Sequence, residues 1–208
     1  MNKILFTGGG SAGHVSVNVA LIPEFKKHGY QISYIGSKKG IEKEMIENIN
    51  DVKYHAISSG KLRRYFSWEN FIDPFKVLKG ILDSIFIIKK EKPDFIFSKG
   101  GFVSVPVCVA ARLLKVPVVL HESDLTPGLA NKINIKFSNH IFTTFEDTLN
   151  YLPKGKASLI GAIVRDAIYG GSKERAYQFT GFSEGKPVIL VMGGSLAVSY
   201  THLRAHET

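Results

Sequence analysis

Short, mostly apolar runs alternate along this chain with longer stretches whose apolar residues recur every three or four positions. The runs at 3–6, 31–35, 53–57, 94–97, 117–120 and 140–143 read as strands. Their brevity and scarcity of polar residues predict strands covered on both faces. Helical spacing occupies 15–28, 41–49, 71–90, 103–114 and 128–137, with Gly29 ending the first helix and Pro74 predicting an early break in the third. This β-α-β order predicts an α/β fold, a Rossmann-like doubly wound parallel sheet, in which ligands sit at the C-terminal ends of the strands.

Three loops at those strand ends carry the candidate chemistry. The first is Gly8-Gly9-Gly10-Ser11-Ala12-Gly13-His14, between a strand and a helix. Free N–H groups and the positive end of a helix dipole there favour phosphate or carboxylate. His14 can move a proton near neutral pH. Gly8, Gly10 and Gly13 also fit the dinucleotide spacing, but no acid ends the second strand to hold a ribose. Lys38 and Lys39 stand there instead and suit a 2′-phosphate, so an NADP-binding oxidoreductase is one alternative. The second loop, Lys99-Gly100-Gly101-Phe102, lets a ligand approach the backbone closely. The third, His121-Glu122-Ser123-Asp124, offers Glu122 as general base or sugar-hydroxyl acceptor, and Asp124 as a hydroxyl partner or helix cap.

A fourth segment interleaves cations and rings: Lys61, Arg63, Arg64, Tyr65, Phe66 and Trp68, running on to Phe71, Phe75, Lys76 and Lys79. That pattern suits an anionic bilayer surface or single-stranded nucleic acid; ordinary core aromatics with solvated lysines are the plainer reading. A non-enzymatic module that binds an anionic membrane is therefore a second alternative. The formal net charge of +9 points to acidic partners without bearing on the fold. The one cysteine, Cys108, lies in an apolar run and reads as a small buried hydrophobe in a reducing compartment. No signal peptide precedes the first strand, and no apolar run reaches the roughly 18–20 residues of a spanning helix, so the expectation is a soluble or peripheral, cytoplasmic protein.

The 208 residues divide, on this reading, into an α/β domain at 1–165, a polar linker at 166–187, and the opening strand and Gly loop of a second domain at 188–197. Residues 198–208 lack an apolar stripe and read as a non-native tail, which removes weight from the metal-like spacing of His202 and His206 within it.

Taken in order, these motifs resemble the MurG family of peptidoglycan N-acetylglucosaminyltransferases. The matching segments are Gly9-Gly10-Ser11-Ala12-Gly13-His14, the 99–106 glycine loop, and His121-Glu122-Ser123-Asp124 with Gly128-Leu129-Ala130-Asn131. Gly161-Ala162-Ile163-Val164-Arg165 and Gly193-Gly194-Ser195 complete the set. Asp124 stands where many members carry Asn. The resemblance implies the N-terminal half of a GT-B glycosyltransferase. It implies inverting transfer of GlcNAc from UDP-GlcNAc to the C4 hydroxyl of MurNAc in undecaprenyl-linked lipid I, giving lipid II for cell-wall synthesis during growth and division. It places the protein peripherally at the inner face of the cytoplasmic membrane, with no nucleic-acid partner. Catalysis would fall to His14 and Glu122. UDP-GlcNAc contacts would fall to Ser11, Ala12, Gly13, Asp124, Arg165 and Ser195. The acceptor diphosphate would meet Gly9, Gly10, Gly100, Gly101, Phe102 and Asn131, and the membrane Arg63, Arg64, Tyr65, Phe66, Trp68 and Phe75. No resident cofactor is implied, though the diphosphate leaves room for a divalent cation such as Mg. A chain of this extent, without most of the donor domain, is expected to turn over little by itself.

Overall fold

In the computed structural model, which describes residues 2–60, 69–165, 168–183, 185 and 187–189 (69–72 by backbone alone), the apolar runs pair into one parallel sheet. Its strands are β1 (Lys3–Thr7), β2 (Gln31–Ser37), β3 (Val52–Ile57), β4 (Phe95–Ser98), β5 (Val118–Glu122), β6 (His140–Thr143) and β7 (Ala157–Leu159). They lie side by side in the order β3-β2-β1-β4-β5-β6-β7. The crossovers are α1 (Ala12–Lys27), α2 (Ile41–Glu47), α3 (Glu69–Glu91), α4 (Ser104–Leu113) and α5 (Leu129–Asn134), with a 3-10 turn at Asp147–Tyr151 before β7.

Successive side chains of a strand point to opposite faces, so each strand feeds two cores. Leu5, Ile35, Ile57, Ile96 and Val118 pack on one face with Ile88 of α3 and Val107, Cys108 and Ala111 of α4. Ile4, Phe6, Ile32, Tyr34 and Phe97 pack on the other with Val15 and Ile22 of α1 and Ile46 of α2. Phe6 meets Phe25 edge-on and Phe97 at a tilt, each with ring centroids 5.6 Å apart. Double coverage explains why β1 and β4 read as apolar runs rather than as alternating patterns.

Strand order reverses between β1 and β4. From β1 the chain moves outward through β2 to β3, and from β4 in the other direction through β5 to β7. The loops after β1 and β4 therefore leave the sheet on divergent courses and open a crevice between them, where doubly wound sheets bind ligands. Register sets the depth of that crevice: Thr7 of β1 lies opposite Ser98 of β4, so both glycine loops start at the same level.

Four elements depart from the sequence expectation. Pro74 does not break the third helix; α3 runs through it. Proline lies near the start, so the one backbone bond it cannot make belongs to the opening turns. β7 and the 3-10 turn were absent from the expected elements, because Ala157–Leu159 is too short for a periodic signal. Finally, the polar segment read as linker contains α6 (Lys173–Thr180). Ser172 caps it by accepting the Arg175 N–H at 3.1 Å, and Gly181 ends it in the left-handed conformation. The chain divides into two compact units, Met1–Ile163 and Val164–Thr208. In the second, α6 buries none of its side chains, and residues 190–208, with the Ser195 loop and the tail, lie outside the described residues.

The two-core arrangement makes Phe6 far more important to stability than the exposed rings. Phe6→Ala is expected to cost about 3–5 kcal/mol, and Phe75→Ala, at 74% exposure, to stay within about 0.5 kcal/mol. Urea unfolding of the two variants against the parent chain checks both.

Candidate active site

The two glycine loops meet backbone to backbone. Gly9 N–H donates to the Gly100 carbonyl at 3.2 Å, and Lys99 N–H to the Thr7 carbonyl at 3.0 Å. Gly101 has φ +82°, and a methyl added there would overlap the Gly9 carbonyl. The contact therefore demands glycine on both conformational and steric grounds. Above it opens a cavity of about 320 Å³ lined by Gly9, Gly10, Ser11 and His14 from the first loop, Gly101 and Phe102 from the second, Glu122 and Asp124 after β5, and Gly128 to Asn131 at the start of α5.

Ser11 is the N-cap of α1, with extended backbone, yet its hydroxyl does not cap the helix. The hydroxyl lies 2.9 Å from Nδ1 of His14 and orients that ring. The first-turn amides of α1 are thus left without a side-chain acceptor, at the positive end of a 16-residue helix. His14 is half-buried. Burial, and then the charge of Lys99, hold its imidazole below the ordinary histidine range, against the opposing pull of Asp124 and Glu122. At neutral pH it is a free base.

Glu122 is buried, and both its oxygens are engaged. Oε1 accepts the Asp124 N–H at 3.0 Å and Oε2 accepts Nδ2 of Asn131 at 2.8 Å. It orients two neighbours, each of its oxygens accepting one hydrogen bond from the protein. Asp124 instead presents an exposed carboxylate to the cavity, while its carbonyl accepts the Thr148 hydroxyl at 3.0 Å. The same local bonds explain the turn: a carboxylate that receives the backbone N–H two residues on closes it.

Of the residues expected at the site, Gly9, Gly10, Ser11, His14, Gly101, Phe102, Glu122, Asp124 and Asn131 surround this one cavity. Gly100 packs against Asn131 just beneath it. Ala12 and Gly13 form the first turn of α1 and do not line the cavity. The Gly9 and Gly10 amides, expected to face a diphosphate, are turned inward, to Gly100 and to Glu42 at 3.3 Å respectively. Arg165 is exposed and belongs to the second unit. Ser195, Arg63, Arg64, Tyr65, Phe66 and Trp68 lie outside the described residues, whereas Phe75 stands exposed on α3. Among the described residues, no group of three or more His, Cys, Asp or Glu side chains could hold a metal ion.

Two charged residues behind the cavity carry no periodic signal in the sequence. Lys99 is wholly buried, and its Nζ donates to the Ser123 hydroxyl at 2.9 Å. Burial holds its ammonium below the usual lysine range, while Glu122 and Asp124 act to raise it. Glu42 is equally buried, behind the first loop. A larger cavity of about 570 Å³ lies at the opposite end of the sheet, lined by the first residues of β1, β2 and β3. Its charged groups are mutually paired there, with Lys3 Nζ on the Glu91 carbonyl and Glu91 on Ser33 and Lys53. The crevice at the C-terminal strand ends is therefore the better candidate for chemistry.

Comparison with known proteins gives the family. The glycosyltransferase family 28 N-terminal domain matches residues 4–143. Two proteins named UDP-N-acetylglucosamine--N-acetylmuramyl-(pentapeptide) pyrophosphoryl-undecaprenol N-acetylglucosamine transferase, from Staphylococcus saprophyticus and Staphylococcus aureus, are each 64% identical over 197 residues. The alignments cover 94% of this chain and 55% of each relative, so the chain spans about half the length of the curated relatives it matches. The crystal structure of Acinetobacter baumannii MurG superposes with a TM-score of 0.66 at 24% identity, over 80% of this chain and 46% of the other. That likeness speaks for the fold.

The buried imidazoles make stability pH-dependent. Burial, with Lys99 second, pushes His121 down to about 4. The unfolded chain then binds more protons than the folded one between about pH 6.5 and pH 4, so stability falls as pH falls through that window. His14 adds to the effect in the same direction. The loss in melting temperature between pH 7.5 and 4.5 is expected to be smaller in His121→Gln than in the parent, as read by thermal unfolding at both pH values.

Proposed function

The chain belongs to glycosyltransferase family 28, and from that membership we propose the reaction of the complete protein. It transfers GlcNAc from UDP-GlcNAc to the C4 hydroxyl of MurNAc in undecaprenyl-diphospho-MurNAc-pentapeptide, with inversion at C1. One observation carries the reading. A histidine held as free base by burial stands beside the uncapped N-terminus of α1, at the strand-order reversal, in a chain 64% identical to the two staphylococcal N-acetylglucosamine transferases.

In the tautomer where Nδ1–H donates to Ser11, Nε2 of His14 carries the free lone pair. It takes the proton of the acceptor hydroxyl as the oxygen attacks C1 of GlcNAc. The C1–oxygen bond to the diphosphate breaks, and UDP departs with the electron pair. Glu122, both oxygens engaged, serves as the residue that orients Asn131 and the Asp124 turn. Asp124 is the free acceptor for a sugar hydroxyl. Because the Gly9 and Gly10 amides are engaged within the protein, the anion is favoured on this reading by the positive end of the α1 dipole behind Ser11, with Gly101 and Phe102 shaping the opposite wall.

Membrane association belongs to the same reading. No helix among the described residues is long and apolar enough to cross a membrane. α3 nevertheless exposes Phe75, Leu78, Leu82 and Phe86, which are spaced three, four and four residues apart and so share one face. Lys76, Lys79, Lys89 and Lys90 on the same helix would stay with anionic head groups while the rings enter the interface. The complete protein would thus work at the inner face of the cytoplasmic membrane, where its prenyl-anchored acceptor resides.

Two outcomes are expected. With the chain joined to the C-terminal part of the staphylococcal relative, His14→Ala should lower transfer to lipid I by at least about a hundredfold; near-normal turnover would remove His14 from the role of base. Sedimentation with phosphatidylglycerol vesicles should bring down the parent chain. It should bring down much less of the Phe75→Ser, Phe86→Ser double variant, and equal binding of the two would place the membrane contact elsewhere.

A further inference from the structure

Glu42 is a carboxylate that the proposed mechanism does not use, yet the first glycine loop is built around it. It is the second residue of α2 and is 1% exposed. Its Oε2 accepts the Gly10 N–H at 3.3 Å. Its Oε1 accepts both the backbone N–H of Ser37, at 2.9 Å, and the Ser37 hydroxyl, at 2.5 Å. A methyl added at Gly9, Gly36 or Gly40 would overlap the Glu42 side chain in each case. Glycines from the first loop, from the end of β2 and from the β2–α2 turn are thus packed against one side chain. Neither Gly36 nor Gly40 has a left-handed φ; Gly36 also leaves room for Tyr54 Oη, and Gly40 is the extended N-cap of α2.

Further bonds join the same cluster. Tyr54 Oη donates to the Ser37 carbonyl at 2.7 Å, and Tyr34 Oη donates to the Gly8 carbonyl at 2.7 Å. The two rings stack at 5.8 Å with planes 12° apart. Asn18 of α1 donates to Tyr34 Oη at 3.0 Å and to the Thr7 carbonyl at 3.3 Å. Loop 8–10, the β2–α2 turn and α1 therefore form one hydrogen-bonded block with the Glu42 carboxylate at its centre. A buried carboxylate that receives three donors is a costly group to disturb, since any donor left unpaired keeps its full desolvation penalty.

We propose that Glu42 is a positioning residue for His14: its carboxylate anchors Gly10, which fixes Ser11 and, through the Ser11 hydroxyl, the His14 imidazole. The covalent path is short. Gly10 is bonded directly to Ser11, and Ser11 Oγ lies 2.9 Å from Nδ1 of His14. Glu42 reaches neither the cavity nor its ligands. The role rests on the reading of His14 as base, but its structural content, that Glu42 sets the environment of the His14 ring, stands apart from that reading.

The test uses Glu42→Gln, which keeps the shape but turns amide hydrogens toward N–H donors, and Ser37→Ala, which removes one donor from the far side. In the 208-residue chain, NMR should show the His14 ring signals and their titration midpoint displaced in Glu42→Gln. They should be displaced in the same sense, by less, in Ser37→Ala. Amide-exchange protection at Gly10 should fall, while that of β5 amides is unchanged. In the protein joined to the relative's C-terminal part, kcat should fall about ten- to a hundredfold with the KM for UDP-GlcNAc within about twofold. If Glu42→Gln does not fold, the Ser37→Ala displacement of His14 decides. Unmoved His14 signals in the variants that fold overturn the proposal, whatever the activity. If the parent fusion transfers no sugar but the His14 signals move as stated, the anchoring role holds and the reading of the reaction fails.

Discussion

A contact between two glycine backbones sets the geometry on which the rest of the site depends. Where strand order reverses, β1 and β4 lie side by side while their loops leave in opposite directions. Left to themselves, such loops would splay apart. Here Gly9 donates to the Gly100 carbonyl at 3.2 Å, and Gly101 comes so close to the Gly9 carbonyl that a Cβ has no room. Because backbone meets backbone, the separation of the two loops does not depend on side-chain rotamers. His14 stands on one side of that junction, Phe102 on the other, and the Glu122–Asn131 pair beneath Asp124 closes the third wall.

Charge is arranged in layers about this junction. The chain is basic overall, at +9, but the cavity is lined by Glu122 and Asp124, and Lys99 is buried behind them. At these separations and in partly buried surroundings, a single charge matters more than the net charge of the molecule. Lys99 acts against protonation of both His14 and His121. The result is an imidazole at His14 biased toward its neutral form without being remote from solvent, which suits the base role proposed for it. Glu122 illustrates the difference between a carboxylate that is present and one that is available: two donors occupy its oxygens, and the exposed neighbour Asp124 is the one left to meet a ligand.

α3 has to satisfy two demands at once. Ile81, Ile85 and Ile88 pack on the sheet core, while Phe75, Leu78, Leu82 and Phe86 remain on the surface. A helix with apolar residues on both sides has more greasy surface than its own domain can cover. The proposed membrane contact rests on that second stripe. The lysines along the helix fit the same setting, since their stems lie on apolar surface and their heads stay wet.

The sequence by itself determined the order of elements, the doubly wound parallel sheet and the three loops that converge at its strand ends. Those follow from short-range rules: apolar period, helix stops and the conformational freedom of glycine act over a few residues and can be read along the chain. It also marked His14, Glu122, Asp124 and Asn131 as candidates in separate roles; the structure brought them around one cavity. What tertiary structure decided was which groups remain free. The Gly9 and Gly10 amides looked open in the loop but are taken by Gly100 and Glu42, the latter 32 residues away from Gly10. Glu42 itself sits in a charged, ordinary-looking helix start and has no pattern to betray its burial. Lys99 reads as a loop lysine until the packing of β4 and β5 encloses it. Burial and hydrogen-bond partnership are properties of residues distant in sequence, so no local pattern can carry them. The helix through Pro74 and the short strand β7 belong to the same class, set by packing and pairing partners rather than by their own few residues.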